Sequence, residues 1–243
     1  MLRAVSPPEP TDAPRSDPVA AHDRERAVPS IDPVAAGVAA WPGLCAAFAL
    51  AALVGWWAPR TALDWQPGLA LTEPWRWWTP VAVHLSALHL AANLLGCAVI
   101  AWLGWAAALP WRVVLAWLAA WPLTHLALGP LAPDLAHYAG LSGVLHAGVA
   151  AAGLHLVLDS ARGSLPASAA RSRRRIGALI LAVLAIKLVV EQPWGAPARA
   201  VAGWDIAIAP IAHTTGAIAG VLLAALAEAW ARRTRSRRPA AVG

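Results

Sequence analysis

Residues 37–57 and 82–107 contain no Asp, Glu, Lys or Arg, and a water-soluble domain has nowhere to put two such stretches. A helix of roughly 20 apolar residues crosses the hydrocarbon core of a bilayer. Four further largely apolar stretches, at about 111–128, 142–159, 176–191 and 206–230, bring the predicted spans to six. The 243 residues are 59% hydrophobic and only 13% charged, with a mean hydropathy of +0.56. That leaves too little polar surface to coat a soluble domain, and enough for a helical bundle in lipid. The predicted organisation is a disordered cytoplasmic tail over 1–36, a six-span domain over 37–230 and a basic cytoplasmic tail over 231–243. No separate soluble domain is expected.

The formal charge of +6 and pI near 10.9 would suit nucleic acid, but the placement of the charge does not. Arg171, Arg173, Arg174 and Arg175 form one cluster; Arg232, Arg233, Arg235, Arg237 and Arg238 form the other. Each flanks a long apolar run, as positive-inside signals do. No aromatic-interleaved basic surface accompanies them, so no nucleic-acid partner is expected. With both clusters cytoplasmic and six spans, both termini lie inside. The loops at 58–80, 129–141 and 192–204 then lie outside. The 58–80 loop, with Trp75, Arg76, Trp77 and Trp78, should lie partly at the headgroup level. Residues 1–36 are rich in Pro, Asp, Arg and Ala without hydrophobic periodicity. The first apolar run begins too late for a cleavable signal peptide. Cys45 and Cys97 lie inside apolar runs, fit no metal-site spacing and read as small buried hydrophobes.

Ionisable and polar groups within spans are costly and point to function. Three groups stand out. Gly140-Leu141-Ser142-Gly143 opens the fourth span: glycines permit a tight turn around the hydroxyl, and a helix N-terminus favours an oxyanion. The same residues also suit a plain N-cap with glycines for packing. His213 lies in Ala212-His213-Thr214-Thr215-Gly216-Ala217-Ile218-Ala219-Gly220, about seven residues and roughly 10 Å inside the sixth span. Gly216 and Gly220 share its face and allow close helix contact. If that contact is with the fourth span, the imidazole can serve Ser142 as base; otherwise His213 is a packing residue. His84, His89 and Asn93 open the second span, with His89 and Asn93 on one face. They suit oxyanion donation or simple helix contact. No His-Glu-x-x-His sequence is present, which argues against a metalloprotease, and no metal or other cofactor is expected.

Over roughly 75–225 the chain resembles the rhomboid family of intramembrane proteases. The shared features are Trp75-Arg76, the His-x4-His-x3-Asn pattern at His84, His89 and Asn93, the Gly-x-Ser-Gly at 140–143 and the Ala-His-x2-Gly-x3-Gly at 212–220. The resemblance implies an all-α, six-transmembrane-helix bundle. It makes Ser142 the nucleophile, His213 the base, and His89 and Asn93 the oxyanion donors. Within that family the chain is most similar to the rhombosortase branch. The indicators are its compact length, the run Gly140 to His146, and Lys187-x3-Glu191-x3-Gly195.

That branch implies membrane-protein substrates: exported proteins carrying a C-terminal tail with a glycine-rich motif, a transmembrane helix and a basic end. Its location would be the bacterial inner membrane, with the site facing the periplasm or exterior. Many rhomboids carry tyrosine four residues after the serine; here His146 stands there and can stack on His213 in the same way. Lys187 and Glu191 are spaced for a helix-end ion pair, or for recognition of the glycine motif. His125, His137 and His155 fit no motif and read as packing or interfacial residues. The competing readings are a general rhomboid protease, an inactive rhomboid-like binding protein, and a metal transporter lined by His84, His89, His146 and His213. The inactive relatives usually lack the serine or the histidine, and the transporter reading lacks intramembrane acidic ligands beside its histidines.

Overall fold

A computed structural model describes residues 33–159 and 165–236. Most of the predicted N-terminal tail, residues 160–164 of the arginine loop and residues 237–243 lie outside the described residues. Among the described residues there are eight α-helices: α1 (Pro33–Gly55), α2 (Arg60–Leu63), α3 (Ala87–Ala106), α4 (Trp111–Leu126), α5 (Leu128–Leu131), α6 (Ser142–Asp159), α7 (Ala167–Val190) and α8 (Pro210–Ser236). Two short strands, β1 (Arg199–Ala200) and β2 (Ala207–Ile208), form an antiparallel hairpin between α7 and α8.

Four of these helices, α1, α3, α6 and α8, are long and apolar enough to cross a membrane. At about 1.5 Å per residue, the 16 residues of α4 reach only about 24 Å, and α7 carries Arg171, Arg173, Arg174 and Arg175 in its N-terminal part. Large apolar side chains face outward along the long helices, including Leu50, Val54, Leu95, Val99, Leu222 and Leu226. Such a surface is stable against lipid and not against water.

The buried interior is made largely of small residues. Helix α6 buries Gly143, Ala147, Gly148, Ala150, Ala151, Ala152 and Gly153 and packs against α8, α7, α4 and α3. A Cβ at Gly216 would collide with the carbonyl oxygen of Gly143, and one at Gly220 with that of Ala147. Helices α6 and α8 therefore meet backbone to backbone, the mode that small-x3-small spacing permits. On the other side of α6, the Trp117 indole lies against Gly148 and donates to the Val144 carbonyl at 2.7 Å. Cys45 and Cys97 are buried thiols in the same core.

Several helix limits differ from the sequence expectation, each for a local reason. Helix α1 begins at Pro33, inside the segment expected as tail. Helix α3 begins at Ala87 rather than near 82, because Thr79–Ala82 forms a 3-10 turn around Pro80 and Ser86 supplies the N-cap. His84 thus precedes the helix. Helix α7 starts at Ala167, since arginine is a good helix former and carries the helix beyond its apolar part. Helix α8 starts at Pro210, whose missing N–H suits a first helical position. That puts His213 three residues in, about 5 Å along the helix axis, not seven.

The segment between α1 and α3 is ordered. Arg76 is 4% exposed; it donates to Glu73 at 2.6 Å, to the Asp64 carbonyl at 2.6 Å and to the Asp64 carboxylate at 3.1 Å. Backbone bonds join Trp65 to Tyr138 at 2.8 and 2.9 Å, and Gly140 N–H to the Pro80 carbonyl at 2.9 Å. This loop therefore anchors the strand of chain that leads into Ser142.

Candidate active site

Ser142 is the first residue of α6, and the residue two before it sets the approach. Gly140 has φ of +122°, a backbone conformation that L side chains rarely adopt. A Cβ there would also sit 2.7 Å from the His89 ring. The turn into α6 is thereby held flush against α3. At the other edge, the Gly143 N–H donates to the Tyr138 hydroxyl at 3.3 Å. Burial pushes the Tyr138 phenol above its ordinary value, so this hydroxyl stays protonated.

The glycine contact between α6 and α8 brings His213 over Ser142. Nε2 of His213 lies 2.9 Å from Ser142 Oγ, and Nδ1 lies 2.8 Å from Glu191 Oε2. A carboxylate only accepts, so Nδ1 carries the ring proton and Nε2 is left to accept from the serine hydroxyl. The second carboxylate oxygen, Glu191 Oε1, pairs with Lys187 Nζ. On the flat face of His213 lies His146, with ring centroids 4.2 Å apart and planes 11° apart. Its Nδ1 donates to the Ser142 carbonyl at 2.7 Å.

His89 and Asn93 are buried on the face of α3 that meets Gly140. The Leu85 N–H donates to His89 Nδ1 at 3.4 Å, which leaves the proton on Nε2, beside Gly140. One N–H of the Asn93 amide goes to the His89 carbonyl at 3.1 Å, and the side chain lines the same cavity as Ser142. The His84 ring backs that of His89 at 4.9 Å. Ser86 both caps α3, accepting from His89 N–H at 3.1 Å, and donates to Asp205 at 2.7 Å. That second bond ties the β1–β2 hairpin to α3, with the Trp204 ring 6.4 Å from that of His89.

Ser142, His213, His89, Asn93, His146, Lys187 and Glu191 all line one cavity of about 960 Å³. It continues along α3 and α7, whose Val99, Trp102, Ile176 and Val183 belong to its lining. Gly216 and Gly220 lie below, in the contact of α8 with α6. Of the remaining histidines, His125 bonds the Trp77 carbonyl at 2.6 Å, His137 the Asp64 carboxylate at 2.7 Å and His155 the Glu228 carboxylate at 2.7 Å. None of these three bonds is to Ser142, although His137 also lines the cavity.

Sequence reasoning paired Glu191 with Lys187 but not with His213. The available signal was that both helix ends fall on the same side of the bundle. It also missed Tyr138 and Trp204, which stand in loops where spacing says nothing about contact.

Apolar helices around a cavity bearing serine, histidine and carboxylate place the chain among multi-pass membrane proteins. Residues 71–229 match the Rhomboid domain, well over half the chain, and the chain belongs to the rhomboid family of intramembrane proteases. No curated protein and no solved structure matches it.

Proposed function

We propose that this protein is an active serine endopeptidase of the bacterial inner membrane. It cleaves exported proteins held there by a glycine-rich C-terminal sorting tail, as the rhombosortase branch does. Helices α1, α3, α4, α6, α7 and α8 are its six spans, with both termini in the cytoplasm. Arg171–Arg175 and Arg232–Arg233 then lie at the cytoplasmic end, opposite Ser142, so the site faces the periplasm or exterior.

The observation that carries the proposal is the 2.9 Å contact of Ser142 Oγ with His213 Nε2, in a cavity lined by α3 and α7. A substrate helix reaches the cavity from the side and unwinds there. Ser142 Oγ adds to the scissile carbonyl carbon while its proton passes to His213 Nε2. The carbonyl oxygen becomes an oxyanion, held by the His89 Nε2–H, the Asn93 amide and the Ser142 N–H. Collapse breaks the C–N bond, and His213 returns the proton to the departing amine. Water, or an amine acceptor, then attacks the acyl ester as His213 takes its proton. The acyl group leaves as acid or amide, and the proton goes back to Ser142 Oγ.

A preference for glycine is supported by Trp204, which lines the cavity with its ring 6.4 Å from that of His89. A chain bound beside that bulky ring fits best where it carries no side chains. A broader rhomboid specificity has its own support, because away from the catalytic residues α3 and α7 line the cavity with apolar side chains, among them Leu95, Val99, Trp102, Ile176, Leu179 and Val183, and would accept many transmembrane segments.

A serine-directed phosphonate should label the wild type and not Ser142→Ala; equal labelling of both ends the nucleophile assignment. Paired substrates with and without the glycine-rich tail then separate the two specificities. Cleavage of only the tailed one supports the sorting role, and equal cleavage supports the broader one.

A further inference from the structure

Rhomboid chemistry as the sequence implies it needs two side chains, a serine and a histidine. In this protein a third reaches the base. We infer that Glu191 is a positioning residue for His213, so that Ser142, His213 and Glu191 work as a triad. The inference rests on the proposed chemistry at Ser142.

Three relationships carry it. Glu191 caps the C-terminus of α7, its N–H bonded to the Lys187 carbonyl at 3.0 Å, which fixes its backbone beside the first turn of α8. Its Oε2 takes the Nδ1–H of His213 at 2.8 Å while Nε2 faces Ser142 at 2.9 Å, so the three groups form one continuous chain of hydrogen bonds. Lys187 holds the other carboxylate oxygen, which limits rotation of the carboxylate and favours its charged form. The side chains of His213 and Glu191 are only 10% and 15% exposed, so water competes little for either.

The physics follows from the tautomers. A neutral imidazole can carry its proton on either nitrogen, and only the Nδ1–H form leaves Nε2 able to accept from serine. A carboxylate at Nδ1 selects that form and the ring orientation with it. When the serine proton reaches Nε2, the ring becomes an imidazolium, and the adjacent carboxylate offsets the new charge in a site of low dielectric. His146 completes the enclosure from the ring face. A solvent-exposed i, i+4 ion pair would do none of this and would contribute little, since water screens it.

The test uses the full-length protein in detergent. Two rates are measured, turnover of a transmembrane substrate and inactivation by a small phosphonate that carries no peptide tail. Glu191→Gln should lower kcat and the inactivation rate by the same factor, about 10²–10⁴, with KM little changed. Glu191→Asp should restore most of the loss, and Lys187→Met should slow both rates only several-fold. If Glu191→Gln raises KM and leaves phosphonate inactivation at the wild-type rate, Glu191 contacts substrate and the triad is overturned. It is overturned equally if both rates match the wild type. Persistence of cleavage in Ser142→Ala is a different failure, that of the nucleophile itself. Should Glu191→Gln not fold, proton NMR of the wild type decides: a far-downfield Nδ1–H resonance, absent from His213→Ala, is required, and its absence from the wild type overturns the inference.

Discussion

Gly216 of α8 rests directly on the carbonyl oxygen of Gly143 in α6, with no room for a methyl group between them. Ser142 adjoins Gly143, and His213 stands one turn before Gly216, so this backbone contact sets the reach of imidazole to hydroxyl. Gly216→Ala should push the helices apart by a fraction of an ångström to an ångström. Misplacement of reacting groups by about 1 Å costs on the order of 10²-fold in rate. We expect a loss of that size in kcat, with the protein still folded and its melting temperature lowered. Turnover and thermal unfolding measured on one detergent preparation check both. Full activity in Gly216→Ala would mean that the contact does not govern the site.

The oxyanion assignment makes a separate demand. His89 and Asn93 should each lower kcat by about 10²–10³ when replaced by alanine, with KM little altered, because they bind charge that exists only in the transition state. Gly140→Ala should be as damaging by another route. It forces a side chain onto a backbone with φ of +122° and into the His89 ring. Steady-state kinetics distinguish the first pair from residues that merely hold substrate, which would raise KM instead.

How much of this was legible beforehand depends on whether the signal was local. Apolar runs and arginine clusters predict the long helices, because lipid imposes length and charge placement on each segment separately. Ser142, His213, His89 and Asn93 were legible as candidates, since each carries its polar group inside an otherwise apolar run. Helix starts were less so. Ser86 and Pro210 decide where α3 and α8 begin, and both fall within stretches whose hydropathy continues past them. The link from Glu191 to His213 joins residues 22 apart in sequence, on different helices. Only the packing of α7 and α8 against α6 makes it visible. Lys187, one turn away on the same helix, was the partner that sequence could find.

Arg76 tests the loop between α1 and α3. It is buried against Asp64 and Glu73, and the loop it organises holds the chain on both sides of Tyr138. Removing one partner of a buried ion pair costs about 3–5 kcal/mol. Arg76→Ala should therefore lower the melting temperature sharply and reduce activity through loss of folded protein. Arg76→Lys should recover only part, since an ammonium cannot reproduce the separate bonds made by the Nε and Nη1 groups. Normal stability of Arg76→Ala would show that the backbone bonds alone hold this loop.

The proposed lateral access of a transmembrane substrate runs through the gap between α3 and α7. Val99 and Val183 line that gap and are more than half exposed, so neither supports the core, and substitution should leave folding intact. Replacing Val183 with Trp fills the space through which a substrate helix must pass but leaves Ser142, His213 and Glu191 untouched. Cleavage of a transmembrane substrate should fall by about tenfold, equivalent to roughly 1.4 kcal/mol of lost transition-state binding. Inactivation by a small phosphonate, which does not need the gap, should keep its wild-type rate. Equal slowing of both reactions would instead mean that the valine face supports the catalytic geometry, and no slowing of either would place the substrate's path elsewhere on the bundle.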